Sequence, residues 1–357
     1  MITTILATVF ALGVLIFIHE FGHFIAAKAF GMRVERFSLG YPPRLIGKKI
    51  GDTDYCISGI PFGGYVKITG MVDESLDTKT LEGPPQPWEF RAKPWYQRMI
   101  VVFAGAGMNL LFGLIFFIVL AWTTGEIVNE ARIGSVISGK PAEMAGFQEG
   151  DRILSVNDVP VTTWEDLTRE IRNSTETPLS IEIERKGVIF DLSVIPEIQT
   201  IQNQDGEPVE IPTIGIGVML RKTTFTKAVV QGSQAAYGIC KLILESLWKL
   251  ISGQESVKSL GGPVAIAKMA GDSARAGFGV LVSFTALLSI NLALLNLLPL
   301  PVLDGGHLLI LSIEGVVRKT IPTRAKLVIQ QVGMALILGL MLFVIYNDIL
   351  RFITDKG

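Results

Sequence analysis

Two of the chain's three histidines stand four residues apart in His19-Glu20-Phe21-Gly22-His23, with a carboxylate beside the first. On a helix, positions i and i+4 share a face, so both imidazoles can hold one metal ion. H-E-x-x-H is the spacing that hydrolytic zinc helices use. Glu20 then stands where a general base would take a proton from the attacking water. The surroundings sharpen this reading. No charged residue occurs in 1–18, and Lys28 is the first basic one. Ionisable groups inside a would-be membrane span are costly, so such a cluster is a functional site by default. A secretory signal peptide is disfavoured, because Met1-Ile2-Thr3-Thr4 carries no basic residue and no small-x-small cleavage site follows. A chance match would need a solvated helix face, which this apolar run does not offer.

A hydrolytic zinc site uses three protein ligands and keeps a further position open. The missing partner is sought in Asn296-Leu297-Leu298-Pro299-Leu300-Pro301-Val302-Leu303-Asp304-Gly305-Gly306-His307. Asp304 is the first charge after a long uncharged run, and Pro299 and Pro301 break the helix just before it. Broken backbone at membrane depth persists only where protein buries it or where it lines a cavity. Asp304 is preferred as third ligand, because two histidines and one acid are a known hydrolytic set. His307 is its rival, and Asp304 has the alternative roles of helix N-cap or interfacial charge. Asn296 is a candidate donor to the substrate backbone or to a developing oxyanion. Its alternative role is to cap the carbonyls released near Pro299.

The elements that must carry these residues are membrane helices. Apolar residues make up 49% of the chain and charged ones 18%, with a mean hydropathy of +0.46. Besides the first segment, residues 99–124, 278–303 and 327–346 are uncharged and reach the ~20 residues that a span requires. Lys28, Arg33 and Arg36 follow the first span, and Lys93 and Arg98 precede the second. Arg318, Lys319, Arg324 and Lys326 lie between the last two. By the positive-inside rule those loops are cytoplasmic and both termini lie outside. Residues 226–252 are ambiguous, being apolar on one face but bearing Lys241, Glu245 and Lys249 at four-residue steps. That pattern suits a helix lying in the interface. Topology agrees, because Asp304 reaches the depth of His19 and His23 only if this segment does not cross. Four spans fit and five do not. The net charge of -1 carries no nucleic-acid signature. Cys56 and Cys240 have no redox or zinc spacing and read as inert packing residues.

Two further regions have a pattern. Between the second and third spans, 133–136 and 153–156 read as short strands, and Pro141-Ala142-Glu143-Met144-Ala145-Gly146 as a short helix. Thr163 starts a second helix, and 179–184 with 188–194 form a hairpin about Lys186-Gly187. Together they predict a small α+β barrel with two helices. In the first loop, 55–69 alternate about 60–64 as a β-hairpin dipping into the membrane. Gly63, Gly64 and Tyr65 there are candidates for holding an extended substrate by main-chain pairing along an edge.

Four motifs taken together are specific. They are His19-Glu20-Phe21-Gly22-His23, Asn296-Leu297-Leu298-Pro299 running into Leu303-Asp304-Gly305-Gly306, Ile60-Pro61-Phe62-Gly63-Gly64-Tyr65-Val66-Lys67, and Leu260-Gly261-Gly262-Pro263-Val264-Ala265-Ile266-Ala267. With them the chain resembles, over essentially its whole length, the site-2 protease family of intramembrane zinc metalloproteases, in its bacterial sigma-E-regulating branch and a single-PDZ form. The resemblance implies a polytopic α-helical membrane protein. It would have four transmembrane helices, a membrane-associated β-hairpin and one extracytoplasmic α+β PDZ domain. The partition is then 1–27 for the first span, 28–98 for a cytoplasmic loop with the hairpin, 99–124 for the second span and 125–222 for the PDZ domain. An interfacial helix and linker take 223–277, the third span with the Asp304 motif 278–317, and a cytoplasmic loop, the fourth span and the C-terminus 318–357. Pro141-Ala142 through Gly146 and Gly150-Asp151-Arg152-Ile153 are similar to PDZ elements, and Ile214-Gly215-Ile216-Gly217 to the loop whose N–H groups capture a terminal carboxylate. Pro299 joins Asn296 as an implied substrate contact. Two departures stand out: Gly40-Tyr41-Pro42-Pro43 lacks the family loop's second glycine, and Ala106 replaces a usual proline before Met108-Asn109.

The expectation is a Zn2+-dependent endopeptidase that cuts within transmembrane segments of single-pass proteins trimmed beforehand, such as anti-sigma factors or signal-peptide remnants. It would act as a monomer in the bacterial cytoplasmic (inner) membrane, in contact with the lipid bilayer and not with nucleic acid. An inactive PDZ-bearing scaffold and a metal transporter are the rival readings. The intact His, Glu and Asp set disfavours the first, and the lack of internal repeats the second.

Overall fold

The computed structural model describes residues 1–71, 83–174, 178–202, 208–256 and 261–354, so Leu260 of the fourth motif lies outside the described residues. The chain divides into two compact units, Met1–Val119 with Val230–Gly357, and Leu120–Val229.

The first unit opens on α1 (Ile2–Ala29), which ends as Gly31 at φ +63 turns the chain aside. β1 (Val34–Ile50) and β2 (Thr53–Ile68) follow, joined through Gly51 at φ +60. Their pairing differs from the expected hairpin about 60–64. Residues 54–57 and 64–67 of β2 do not pair with each other but flank 36–39 of β1 on its two sides. Phe37 pairs with both Tyr55 and Val66, and Leu39 with both Ile57 and Gly64. Alternation fixes which side chains share a face, but it does not say which strand becomes the neighbour. Phe37, Val66 and Ile68 are buried in one cluster with Ala27 of α1 and with Val101 and Val102 of α2 (Trp95–Thr124). α2 begins before the uncharged core expected from 99, because Pro94 immediately ahead of it favours a helix start.

The second unit is a small mixed domain. β3 (Glu126–Ile127) and β4 (Ile133–Val136) precede α3 (Pro141–Met144). β5 (Arg152–Val156) and β6 (Val159–Pro160) then lead to α4 (Trp164–Arg172). β7 (Leu179–Arg185) and β8 (Val188–Val194) form a hairpin whose turn, Lys186-Gly187, has φ +52 and +82, as a two-residue hairpin turn requires. β9 (Glu197–Gln202) pairs with β10 (Pro208–Thr213), β11 (Ile216–Val218) with β4, and β12 (Leu220–Arg221) with β3, while β6-β5-β7-β8 make the main antiparallel sheet. Ile133, Ile153, Leu167, Ile181, Ile183 and Ile214 fill the core. Asp151 is buried beneath them and takes two 2.7 Å hydrogen bonds from the Arg185 guanidinium.

The chain then continues with α5 (Phe225–Ile251), α6 (Pro263–Ala276), α7 (Phe278–Asn296), α8 (Asp304–Val317) and α9 (Thr323–Thr354). Among the described residues, four helices are long and apolar enough to cross a membrane: Ile2–Ala29, Trp95–Thr124, Phe278–Asn296 and Arg324–Asp348. α5 is as long but is not one of them, and it carries an exposed Lys241–Glu245 pair. The third span ends earlier than the uncharged run to 303: helix stops at Asn296 and resumes at Asp304. Pro299 and Pro301 within the gap account for the break, since neither can donate the backbone hydrogen bond that helix requires.

Candidate metal centre

α1 presents His19, Glu20 and His23, and the first turn of α8 presents Asp304. His19 Nε2 and His23 Nε2 lie 3.2 Å apart. Asp304 Oδ2 is 3.3 Å from the first, and Asp304 Oδ1 is 3.6 Å from the second. Among the described residues these three are the only group of His, Cys, Asp or Glu whose donor atoms converge in this way. Zinc–nitrogen and zinc–oxygen bonds of 2.0–2.1 Å put tetrahedral ligands about 3.3 Å apart, so the spacing fits a shared zinc ion. Two observations reinforce the fit. Asp304 Oδ2 is buried without a hydrogen-bond partner, as an atom reserved for a cation would be. His23 Nδ1 lies 2.8 Å from the Val101 carbonyl oxygen, which only an N–H can approach, and this leaves the Nε2 lone pair for metal.

The neighbouring backbone makes room for this arrangement. A Cβ on Gly105 of α2 would stand 2.3 Å from His23 Nε2 and 2.8 Å from His19 Cε1, so any larger residue would displace both rings. The segment between α7 and α8 folds back onto the start of α8. There a Cβ on Gly305 would meet the Leu298 carbonyl at 2.1 Å, and one on Gly306 the Leu300 carbonyl at 2.2 Å. Val302 in this segment has φ +85, a strained value for a β-branched residue beside the site. The broken span thus delivers a carboxylate to the two histidines at a helix start, where the side chain need not compete with a preceding turn.

Comparison with known proteins decides the family. The model of peptidase family M50 matches residues 7–340. The chain belongs to peptidase family M50. This is the site-2 protease family of metalloproteases, and with its four apolar helices the chain is a multi-pass membrane protein. A Clostridium perfringens protein provisionally named a zinc metalloprotease is 36% identical, over 97% of this chain and 98% of its own length. A Campylobacter jejuni protein with the same provisional name is 34% identical, over 98% of this chain and 94% of its own. The zinc metalloprotease RasP of Oceanobacillus iheyensis is 31% identical, over 98% and 99%. Zinc is the metal these names carry, and it is the metal the donor set fits.

In this M50 peptidase the donor atoms open onto a cavity of about 450 Å³, lined also by Glu20, Tyr41, Gly64, Tyr65 and His307. His307 therefore faces the cavity without joining the converging donors. A Cβ on Gly64 would lie 3.6 Å from Glu20 Cγ, which places residues 64–66 beside the prospective base. Gly63 lies against the Tyr41 ring, which stacks on Tyr65 at 6.3 Å. Asn296 reaches toward the site, its Nδ2 3.5 Å from His19 Nδ1, and Pro299 sits in the break. Ile214, Gly215 and Ile216 belong to the second unit. Gly215 has φ +82, the Ile214 and Gly215 carbonyls accept from Ala142 and Ile137, and Ile216 pairs with Val136. Sequence reasoning assigned no role to Val101, Gly105, Asn109 or Tyr41. Only Asn109 and Tyr41 lay in motifs already noted, as departures from a family pattern.

Proposed function

We propose that this M50 peptidase hydrolyses peptide bonds inside the transmembrane segments of single-pass proteins. The observation that carries this reading is the position of the donor set: two ligands lie within a helix long enough to span, and the third follows the break in another. His19, His23 and Asp304 would hold zinc, with one position left open. When bound, the ion supplies Lewis-acid polarisation of a carbonyl and makes water acidic enough to act as a nucleophile near neutral pH. Glu20 takes the water's proton and delivers it to the leaving amine. Asn296, half-buried at the break, donates to the substrate backbone or to the oxygen that gains charge. A helical substrate hides its carbonyls, so it must be unwound before it is cut. The strand at 64–66 has β1 on one side and the cavity beside it, which suits main-chain pairing with an extended segment.

The proposed setting is the bacterial inner membrane, with a monomeric enzyme and both termini outside. The second unit would be an extracytoplasmic PDZ domain that admits trimmed substrates and excludes those still carrying a bulky outer domain. The decisive experiment incubates purified, zinc-loaded protein with a model transmembrane peptide and maps the cut. Cleavage inside the hydrophobic segment is expected, and Glu20→Gln should reduce it by about 100- to 10,000-fold with zinc retained. Cuts confined to flanking polar residues would refute the intramembrane reading. Deleting roughly 132–220 should permit cleavage of untrimmed substrates without raising the rate on trimmed ones. Loss of all cleavage in a folded, zinc-bound deletion would make the domain a recruiter.

A further inference from the structure

His19 and His23 offer the same ligand atom but are held differently behind it. An imidazole that gives Nε2 to a metal carries its proton on Nδ1, and that N–H needs an acceptor. His23 has the Val101 carbonyl. Facing His19 Nδ1 are two amide nitrogens, Asn109 Nδ2 at 3.4 Å and Asn296 Nδ2 at 3.5 Å. Neither can accept from an N–H. Asn109 is fully buried on α2, and its Oδ1 has no hydrogen-bond partner. A buried acceptor without a donor therefore stands on the same small amide whose nitrogen meets a ring atom that must donate. Exchanging the amide's oxygen and nitrogen, which are nearly alike in shape, satisfies both needs.

We propose that Asn109 is the positioning residue for His19: its Oδ1 accepts the Nδ1–H, fixes the tautomer and aims Nε2 at the zinc ion. The residue is well placed for this. Its backbone carbonyl accepts a 2.9 Å hydrogen bond from Ser289 Oγ, which ties α2 to α7 at the same level. Asn296 is half-buried at the end of α7, and this division leaves its amide for substrate. The inference rests on zinc at His19 and not on where the enzyme cuts, so its test reads metal.

The test measures zinc Kd by chelator competition for the full-length protein in detergent, with thermal melting of the metal-free form to check each fold. Asn109→Leu, which removes the acceptor at similar size, should bind zinc about 10- to 100-fold more weakly. Asn109→Asp keeps the acceptor in the same place and should bind zinc as tightly as the parent or tighter. Asn296→Ala should leave zinc Kd unchanged. If the leucine variant does not fold, Asn109→Ala is read in its place. Parental affinity in the variant lacking the acceptor would overturn the proposal. So would equal weakening in the leucine and aspartate variants, which would mean that Asn109 only packs. A loss confined to Asn296→Ala would hand the role to Asn296.

Discussion

Around Glu314, every carboxylate oxygen is matched by a donor. Oε1 accepts from Lys326 Nζ at 2.6 Å and from the Ile321 N–H at 2.8 Å, and Oε2 accepts from Arg98 Nη1 at 3.1 Å. Around Asp304, half-buried in the same unit, the neighbours are two imidazole nitrogens and one oxygen has no donor. Both clusters are costly to bury, and only in the first are both carboxylate oxygens met by donors of the chain, although Arg98 Nε there is itself without an acceptor. A closed ion cluster links the segments that carry it: α2, α8 and the start of α9. An open one is completed by something the protein binds. The contrast supports the candidate metal centre on grounds separate from its motif.

The two clusters should therefore fail differently. The largest effect is expected from Asp304→Asn, which should lower zinc affinity by more than the 10- to 100-fold typical of an outer partner. Hydrolysis should fall with it, while the metal-free protein keeps its melting temperature. Metal analysis beside thermal melting checks this. If His307→Ala loses zinc and Asp304→Asn keeps it, the third ligand is misassigned. Next comes Glu314→Gln, which leaves Arg98 and Lys326 without their carboxylate. Breaking a buried pair costs about 3–5 kcal/mol, so the melting temperature should fall while zinc Kd in the surviving folded protein stays parental. Matching losses of zinc and stability in both variants would erase the difference between the two clusters.

How far this was legible in the sequence follows the same line. His19, Glu20, His23 and Asp304 could be singled out because charge inside apolar runs is costly, although Asp304 also had plain readings as an N-cap or an interfacial charge. Pro299 and Pro301 announced the break. Arg98 and Lys326 were visible only as basic residues flanking spans, because no local pattern says that a flanking charge will meet Glu314 far along the chain. Asn109 and Gly105 had no role assigned from sequence for a different reason. A neutral amide and a missing side chain leave no mark on hydropathy, and their roles exist only once α1 and α2 touch. The strands at 36–39, 54–57 and 64–67 were recognisable as strands, but their neighbours were not.

The second unit supplies the small end of the scale, a cluster at the surface. Thr163 caps α4: its hydroxyl accepts from the Asp166 N–H at 3.1 Å and donates to the Asp166 carboxylate at 2.6 Å. The Thr163 side chain and then its backbone N–H hold the Asp166 carboxyl below its ordinary value of 3.8. A group whose folded value is depressed stabilises the native state above its unfolded value. That contribution is lost as pH falls through the folded value, here on the acid side of 3.8. Thr163→Ala should cost about 1 kcal/mol of local helix stability at neutral pH. It should also flatten the acid dependence, because the carboxyl returns toward its ordinary value. Amide hydrogen exchange across Trp164–Arg172 in the full-length protein reads both effects. Faster exchange is expected in α4, with zinc affinity and the amides of α1 unaffected. Unchanged protection in α4 would mean that Leu167 and Ile171, buried in the core, hold the helix without its cap.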